Sequence, residues 1–253
     1  MPALTEEILT EEIVDGVAVL TLRRPHQLNA LTEEMIGLIE AALDRHETSE
    51  SIALVFTGEG RAFCAGSDLK EPPKDVDARL RRMHRLALRL IEYPKLSVAA
   101  LNGMALGGGL ELALACTFRI ATPTAQLGVP EVKLSTMPGY GGAAMLPRVV
   151  GEVRALEMLV TGDPVSGEEA RRIGLVTALE EDPVGAAIRF AQRCTKYGQP
   201  VQRAARRISR ESPRLSLTDA LELERELNTV LARSPECQAA IRAFAERSKA
   251  KRS

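Results

Sequence analysis

The chain has 253 residues, 45% of them hydrophobic and 26% charged, with a formal charge of −1, the profile of an ordinary globular protein. That balance excludes a general attraction to nucleic acid or to an anionic membrane surface, and no apolar run is long enough to span a bilayer. Cys64, Cys116, Cys194 and Cys237 lie far apart without a CxxC pair, so free thiols in a reducing compartment are expected rather than a disulfide framework or a zinc site.

Met1 to Ile13 carries Glu6, Glu7, Glu11 and Glu12 and no basic residue. This argues against a signal or transit peptide and for a cytoplasmic protein. Val17 to Leu22 is a β-branched run ended by Arg23-Arg24-Pro25 and predicts a strand. Thr32 has the character of an N-cap, with Glu33 and Glu34 at the positive end of a helix. Met35, Ile36, Ile39, Ala42 and Leu43 supply that helix's apolar stripe.

A second strand, Ile52 to Thr57, runs into Gly58-Glu59-Gly60. The stretch rich in Arg79, Arg81, Arg82, Arg85 and Arg89 has Leu80, Met83, Ala87, Leu90 and Ile91 at helical spacing, which predicts an amphipathic helix with a solvated basic face, a contribution to binding an anionic ligand being the alternative. It stops at Tyr93-Pro94, and Leu96 to Leu101 predicts another buried strand. The glycines Gly103 and Gly107-Gly108-Gly109 precede Leu110-Glu111-Leu112-Ala113-Leu114-Ala115, a strong helix former. Phe118 to Ala121 and Ala125 to Val129 are short strands, and Ser166-Gly167-Glu168-Glu169 matches a capping box. From about Gln199 the composition turns to long charged helices, with Ser234-Pro235 opening the last. The expected organisation is an α/β core over residues 1–195 and a helical region over 196–253.

Nucleophile and metal signatures are missing: there is no GxSxG elbow, HExxH or Walker A pattern. Gly139-Tyr140-Gly141-Gly142-Ala143-Ala144 fits GxGxxA by letter, but Thr136-Met137-Pro138 stands where dinucleotide folds need a clean buried strand. Two other segments carry more. Ala62 to Leu69 packs small residues into a loop after a strand, and Ala105 to Glu111 puts glycines at a helix entrance. Glycines there let a ligand approach the backbone, and free N–H groups at a helix start favour negative charge.

Together with Val129-Pro130-Glu131, this constellation resembles the enoyl-CoA hydratase/isomerase family, also called the crotonase family. The resemblance runs from Arg24-Pro25 and Leu28-Asn29-Ala30-Leu31 through Phe63-Cys64-Ala65-Gly66, Asn102-Gly103 and Gly109. It continues through Met137-Pro138-Gly139, Leu146-Pro147-Arg148, Leu159-Val160-Thr161-Gly162 and Gly174-Leu175-Val176.

It implies a crotonase-like spiral of ββα repeats, forming two nearly perpendicular sheets, with a C-terminal helical region that packs a homo-trimer or a dimer of trimers. It implies an acyl-CoA thioester substrate, coenzyme A being part of the substrate, and no separate cofactor or metal. The amides of Ser67 and Gly108 would hold the thioester oxygen, Glu111 would orient and deprotonate a water, and Glu131 would supply the proton. Gly139 would donate its amide to that water. Coenzyme A contacts are implied at His26, Leu28, Ala65, Ser67, Asp68, Leu69 and Lys70, and at Phe244 and Arg247 reaching into a neighbouring subunit. The expected reaction is hydration of a trans-2-enoyl-CoA; a Δ3-Δ2 enoyl-CoA isomerase and a non-catalytic acyl-CoA-binding subunit are the alternatives. Two residues depart from the family pattern. Thr117 stands where Asp is common, and Tyr140 replaces a small residue, where it either narrows or polarises the acyl pocket or points away.

Overall fold

The computed structural model describes residues 7–250; residues 1–6 of the acidic amino-terminal stretch and 251–253 of the helical region lie outside the described residues. The chain divides into two compact units, Met1–Arg193 and Cys194–Ser253.

The first unit opens with a hairpin of β1 (Leu9–Val14) and β2 (Val17–Leu22), joined at Asp15 and Gly16, both with positive φ. That Asp-Gly pair suits the left-handed positions of a tight hairpin turn. β1, Leu-Thr-Glu-Glu-Ile-Val, has adjacent glutamates in place of a strict alternation, which hides it from the period-2 test. Then follow α1 (Glu33–Thr48), β3 (Ala53–Gly58), β4 (Ala62–Cys64), α2 (Val76–Glu92), β5 (Leu96–Leu101), β6 (Met104–Leu106), α3 (Gly108–Ala115), β7 (Phe118–Ala121) and β8 (Gln126–Gly128). Each of β3–β4–α2 and β5–β6–α3 is a strand, a second strand and a helix.

With β9 at Val165–Ser166 and β10 at Ala178–Leu179, the six-stranded sheet has the order β1-β2-β3-β5-β7-β10, and the four-stranded sheet has β4-β6-β8-β9. The first strand of each repeat therefore joins one sheet and the second joins the other, in the same parallel order. This is the spiral of ββα repeats that the resemblance implies. α4 (Gly142–Val150), α5 (Glu152–Thr161), β9 (Val165–Ser166), α6 (Gly167–Arg172), β10 (Ala178–Leu179) and α7 (Pro183–Thr195) complete the winding. The second unit is helical, with α8 (Gln199–Glu211), α9 (Leu217–Ala232) and α10 (Pro235–Ala250).

Local signals hold where they were strong. Thr32 accepts from the Met35 amide at 3.1 Å, Ser166 from Glu169 at 3.2 Å, and Ser234 from Cys237 at 3.1 Å. β3 and β5 are buried along their whole length, as central parallel strands are. The core is aliphatic, with Leu20, Leu22, Ile36, Ile39, Leu43 and Leu54 fully buried. Thr117 exchanges hydrogen bonds with Ser97, its amide reaching Ser97 Oγ at 3.0 Å. Arg119 closes the C-terminal end of α3, donating to the carbonyls of Ala113 and Cys116 and to Leu175.

One expectation is corrected. The basic face of α2 is not uniformly solvated, because Arg79 is buried, on the same stripe as Met83, Leu86 and Leu90. Spacings of four, three and four residues put these side chains on one helix face. Its charge is met by Glu33, while Arg82 pairs with Glu33 and Glu40, and Arg89 with Asp44 and Glu47.

The turn from β6 into α3 is the tightest point of the winding. A β-carbon on Gly109 would stand 2.1 Å from the Cys64 carbonyl oxygen, a backbone atom that cannot swing aside. Gly109→Ala is expected to cost ~3 kcal/mol or more. Gly16→Ala, where nothing lies within 4 Å, should cost only the left-handed penalty of ~1–2 kcal/mol. Urea unfolding of the two variants checks this, and equal losses would contradict the steric account.

Candidate active site

The ends of β4 and β6 lie side by side and both release their chains into one cavity of about 290 Å³. Ala65, Ser67 and Leu69 line it from the first loop, Gly107, Gly108 and Glu111 from the second, and Glu131, Gly139 and Tyr140 from beyond β8.

The direction of the Ser67 amide follows from backbone geometry. Leu31 donates to the Gly66 carbonyl at 2.8 Å and accepts from the Asp68 amide at 3.0 Å, an isolated parallel bridge opposite Ser67. In extended chain, the groups on either side of a residue then point to the bridge partner, and its own N–H points away. Gly108 is the first residue of α3, where amides have no partner within the helix. Gly107, just before it, donates instead to Gly128 at 2.9 Å. Neither the Ser67 nor the Gly108 amide donates to another group among the described residues. Gly66, at φ +103°, brings the loops together: a β-carbon there would sit 3.3 Å from the Gly108 nitrogen.

Each glycine of the triplet has its own steric reason. A β-carbon at Gly107 would meet Glu131 Oε1 at 2.6 Å, one at Gly108 would meet the Tyr140 ring at 2.9 Å, and Gly109 is closed by Cys64. The bare backbone is the surface on which the Glu131 carboxyl and the Tyr140 ring rest.

Glu111 lies one turn into α3 and is 2% exposed. Its Oε1 accepts from the amides of Tyr140 and Gly142, both at 2.7 Å. The Pro-Gly-x-Gly-Gly turn is thus a carboxylate cradle rather than a nucleotide loop, and Gly142 is bare because a β-carbon would strike the Glu111 side chain at 2.8 Å. Burial pushes the Glu111 carboxyl up to about 7; the Gly142 amide opposes this, the Glu131 charge adds to it, and the Tyr140 amide opposes it. Glu131 is the second residue of the 3₁₀ turn Pro130–Leu134, and its Oε2 is buried with no hydrogen-bond partner among the described residues. Burial raises its carboxyl as well. Neither carboxyl has an ion-pair partner within the described residues.

Of the expected site residues, Ala65, Ser67, Leu69, Gly108, Glu111, Glu131 and Gly139 line the one cavity. His26, Leu28, Asp68 and Lys70 do not. His26 and Lys70 are exposed. Leu28 holds the loop through its carbonyl, which accepts from the Ala65 amide at 2.9 Å. The Asp68 carboxylate is occupied by Arg24 at 2.9 Å and the Lys70 amide at 3.0 Å. Burial alone would raise it, but the Arg24 guanidinium and the Lys70 amide outweigh burial and hold it below the usual range. Phe244 and Arg247 lie on α10 of the second unit, both exposed. The Gly139 carbonyl accepts from His84 Nε2 at 2.8 Å.

Tyr140 points into the cavity, not away. Its hydroxyl is hydrogen-bonded to Ser67 Oγ and accepts from Arg79 Nε at 3.1 Å. Arg79, one of the basic residues of α2, thus meets the site through Tyr140, and its place on the apolar stripe of the helix is the signal in the sequence for its burial. Cys64, although beside the loop, is buried and its thiol is pushed up to about 12 by that burial, far from a reactive thiolate.

The arrangement offers two unpaired backbone donors at a cavity that also holds two carboxyl groups, both raised by burial. Such a set suits binding a carbonyl oxygen on which charge develops while protons move to and from neighbouring atoms.

A family model described as enoyl-CoA hydratase/isomerase matches residues 12–252. A probable enoyl-CoA hydratase of Rhizobium meliloti (strain 1021) is 34% identical over 256 residues, covering 98% of both chains. A probable enoyl-CoA hydratase of Bacillus subtilis (strain 168) is 42% identical over 172 residues, 66% of either chain, just under two thirds of that relative's length. The crystal structure of an enoyl-CoA hydratase from Bacillus anthracis superposes with a TM-score of 0.90 at 30% identity, covering 95% of this chain and 97% of that one. With agreement of this extent in both sequence and fold, the chain belongs to the enoyl-CoA hydratase/isomerase family.

Proposed function

We propose that the protein is an enoyl-CoA hydratase, adding water reversibly and syn across the double bond of a trans-2-enoyl-CoA to give a 3-hydroxyacyl-CoA. The observation that carries this reading is the meeting of Glu111 and Glu131 with the unpaired Ser67 and Gly108 amides in one cavity. The names of the relatives support it.

The thioester oxygen accepts from the two amides. As water attacks the β-carbon, negative charge moves onto that oxygen, and donors already in place stabilise it without reorganising. Glu111 acts as the base. Its Oε1 is held by two amides, which leaves Oε2 to take a proton from the water. Glu131 acts as the acid: a buried carboxyl oxygen without a donor favours the protonated state, and that proton goes to the α-carbon. The coenzyme A moiety is assigned to the rim near His26, Leu28, Asp68 and Lys70. An isomerase needs only one carboxyl to shuttle a proton between two carbons, so the pair favours hydration.

Loss of the conjugated-thioester absorbance of crotonyl-CoA tests the reading. Wild type is expected to turn over, and Glu111→Gln and Glu131→Gln each to lose about 10²–10⁴-fold in kcat. No turnover of crotonyl-CoA or longer 2-enoyl-CoAs, despite binding, would sink it. Conversion of a 3-enoyl-CoA at undiminished rate in Glu131→Gln would point instead to the isomerase.

The raised carboxyl also dictates a pH profile. A base works only when deprotonated, so kcat should climb as pH rises through about 7, where Glu111 ionises, rather than near the ordinary value of 4.5. The profile belongs to the coupled pair. A flat rate from pH 5 to 8 would contradict the assignment of Glu111 as base.

A further inference from the structure

Ser67 is the less supported of the two proposed oxyanion donors. Gly108 is built into the start of α3, whereas Ser67 follows a glycine at φ +103° and has only the bridge to Leu31 as regular backbone pairing. On the other side of Ser67, the contact is its side chain, hydrogen-bonded to the Tyr140 hydroxyl.

Tyr140 is itself fixed at three points. Its amide donates to Glu111 Oε1 at 2.7 Å, its ring lies on the bare Cα of Gly108, and its hydroxyl accepts from Arg79 Nε at 3.1 Å. Arg79 is 5% exposed and does not swing freely: Nη1 pairs with Glu33 at 2.5 Å, and Nη2 donates to the Leu31 carbonyl at 3.2 Å. That carbonyl is the one that accepts from the Asp68 amide. One guanidinium therefore grips the Ser67 loop twice, through Leu31 on one side and through Tyr140 and Ser67 Oγ on the other. Arg79 donates to the phenol oxygen, and either hydroxyl can supply the proton of the bond between Tyr140 and Ser67 Oγ.

We propose that Tyr140 and Arg79 are positioning residues that register the Ser67 amide against the Gly108 amide and against Glu111, the Ser67 hydroxyl acting as the handle by which its own amide is held. The inference rests on the hydratase reading of the cavity. It goes beyond it in giving a role to the Ser67 side chain, to the tyrosine that replaces a small residue, and to a buried arginine outside the cavity. A donor displaced by a fraction of an ångström still permits binding but polarises the carbonyl less.

Tyr140→Phe removes the hydroxyl and keeps the ring on Gly108; Ser67→Ala removes the handle and keeps the amide. The probe is 4-dimethylaminocinnamoyl-CoA, whose absorption moves to the red when its thioester carbonyl is polarised by hydrogen bonds. Wild type is expected to shift the bound probe strongly. Each variant should show less than about half that shift, with Kd within about threefold of wild type, and crotonyl-CoA kcat should fall about tenfold, as for one lost hydrogen bond. The double variant should match the singles, because both cut the same link. Melting curves of all three identify any variant that has simply failed to fold. A full wild-type shift retained by both single variants, or losses that add in the double variant, would overturn the positioning role while leaving the hydratase reading intact. No red shift in wild type would overturn both, since the amides would then not be polarising a thioester at all.

Discussion

Where the end of β6 turns into α3, the backbone of Gly109 passes so close to the Cys64 carbonyl that no β-carbon fits between them. This contact brings the loops leaving two adjacent strands of the smaller sheet into register. Once they meet, the Ser67 amide is directed by its bridge to Leu31 and the Gly108 amide by the start of a helix. Glu111 then falls one turn further on, against the Tyr140 and Gly142 amides. Weakening that approach would separate donors and carboxyl together, because all three hang from the same pair of strand ends.

Charge in the first unit is distributed unevenly, and the unevenness has chemical content. Glu33, Glu40, Asp68 and Glu169 each face an arginine, and pairing of that kind keeps a carboxylate ionised. Glu111 and Glu131 are given amides, glycines and burial instead, and both are raised. Arg79, the buried arginine of α2, pairs with neither, and each of its three side-chain nitrogens has another partner, in Glu33, Leu31 and Tyr140. A cation delivered to the cavity would have pulled both carboxyls back to their ordinary range and removed the neutral acid on which the proposed chemistry depends. Tyr140 thus separates the arginine from the cavity while passing its hydrogen bonding on to Ser67.

The spiral explains how residues from four distant segments come together. Each ββα turn adds a strand to both sheets, so β4, β6 and β8 lie in parallel with their carboxyl ends on one side. The loops that leave those ends carry Ser67, Gly108 and Glu131 in turn. Function sits on the loops, and the stacked strands and the buried Leu and Ile residues hold their spacing. The same scaffold supports several chemistries within the family, so the chemistry proposed here is argued from the carboxyls and amides, not from the winding.

Local order was legible in the sequence because local physics determines it: the caps at Thr32, Ser166 and Ser234, the strands Val17–Leu22 and Leu96–Leu101, and the helix after the glycine triplet. The short strands β4 and β6 were not legible, since three residues carry no periodicity and Ala62–Cys64 is a strand only because a neighbour pairs with it. The family motifs marked Glu111, Glu131, Ser67 and Gly108 as a group, and the glycines promised close backbone approach without naming what approaches. Only the tertiary structure decided that Glu131 rests on Gly107, Tyr140 on Gly108 and the Cys64 carbonyl on Gly109. It alone decided that Arg79 is buried and tied to Tyr140, and that Tyr140 turns inward to Ser67. These contacts join residues tens of positions apart, and their direction is set by how strands stack and helices pack, which no run of neighbouring residues encodes.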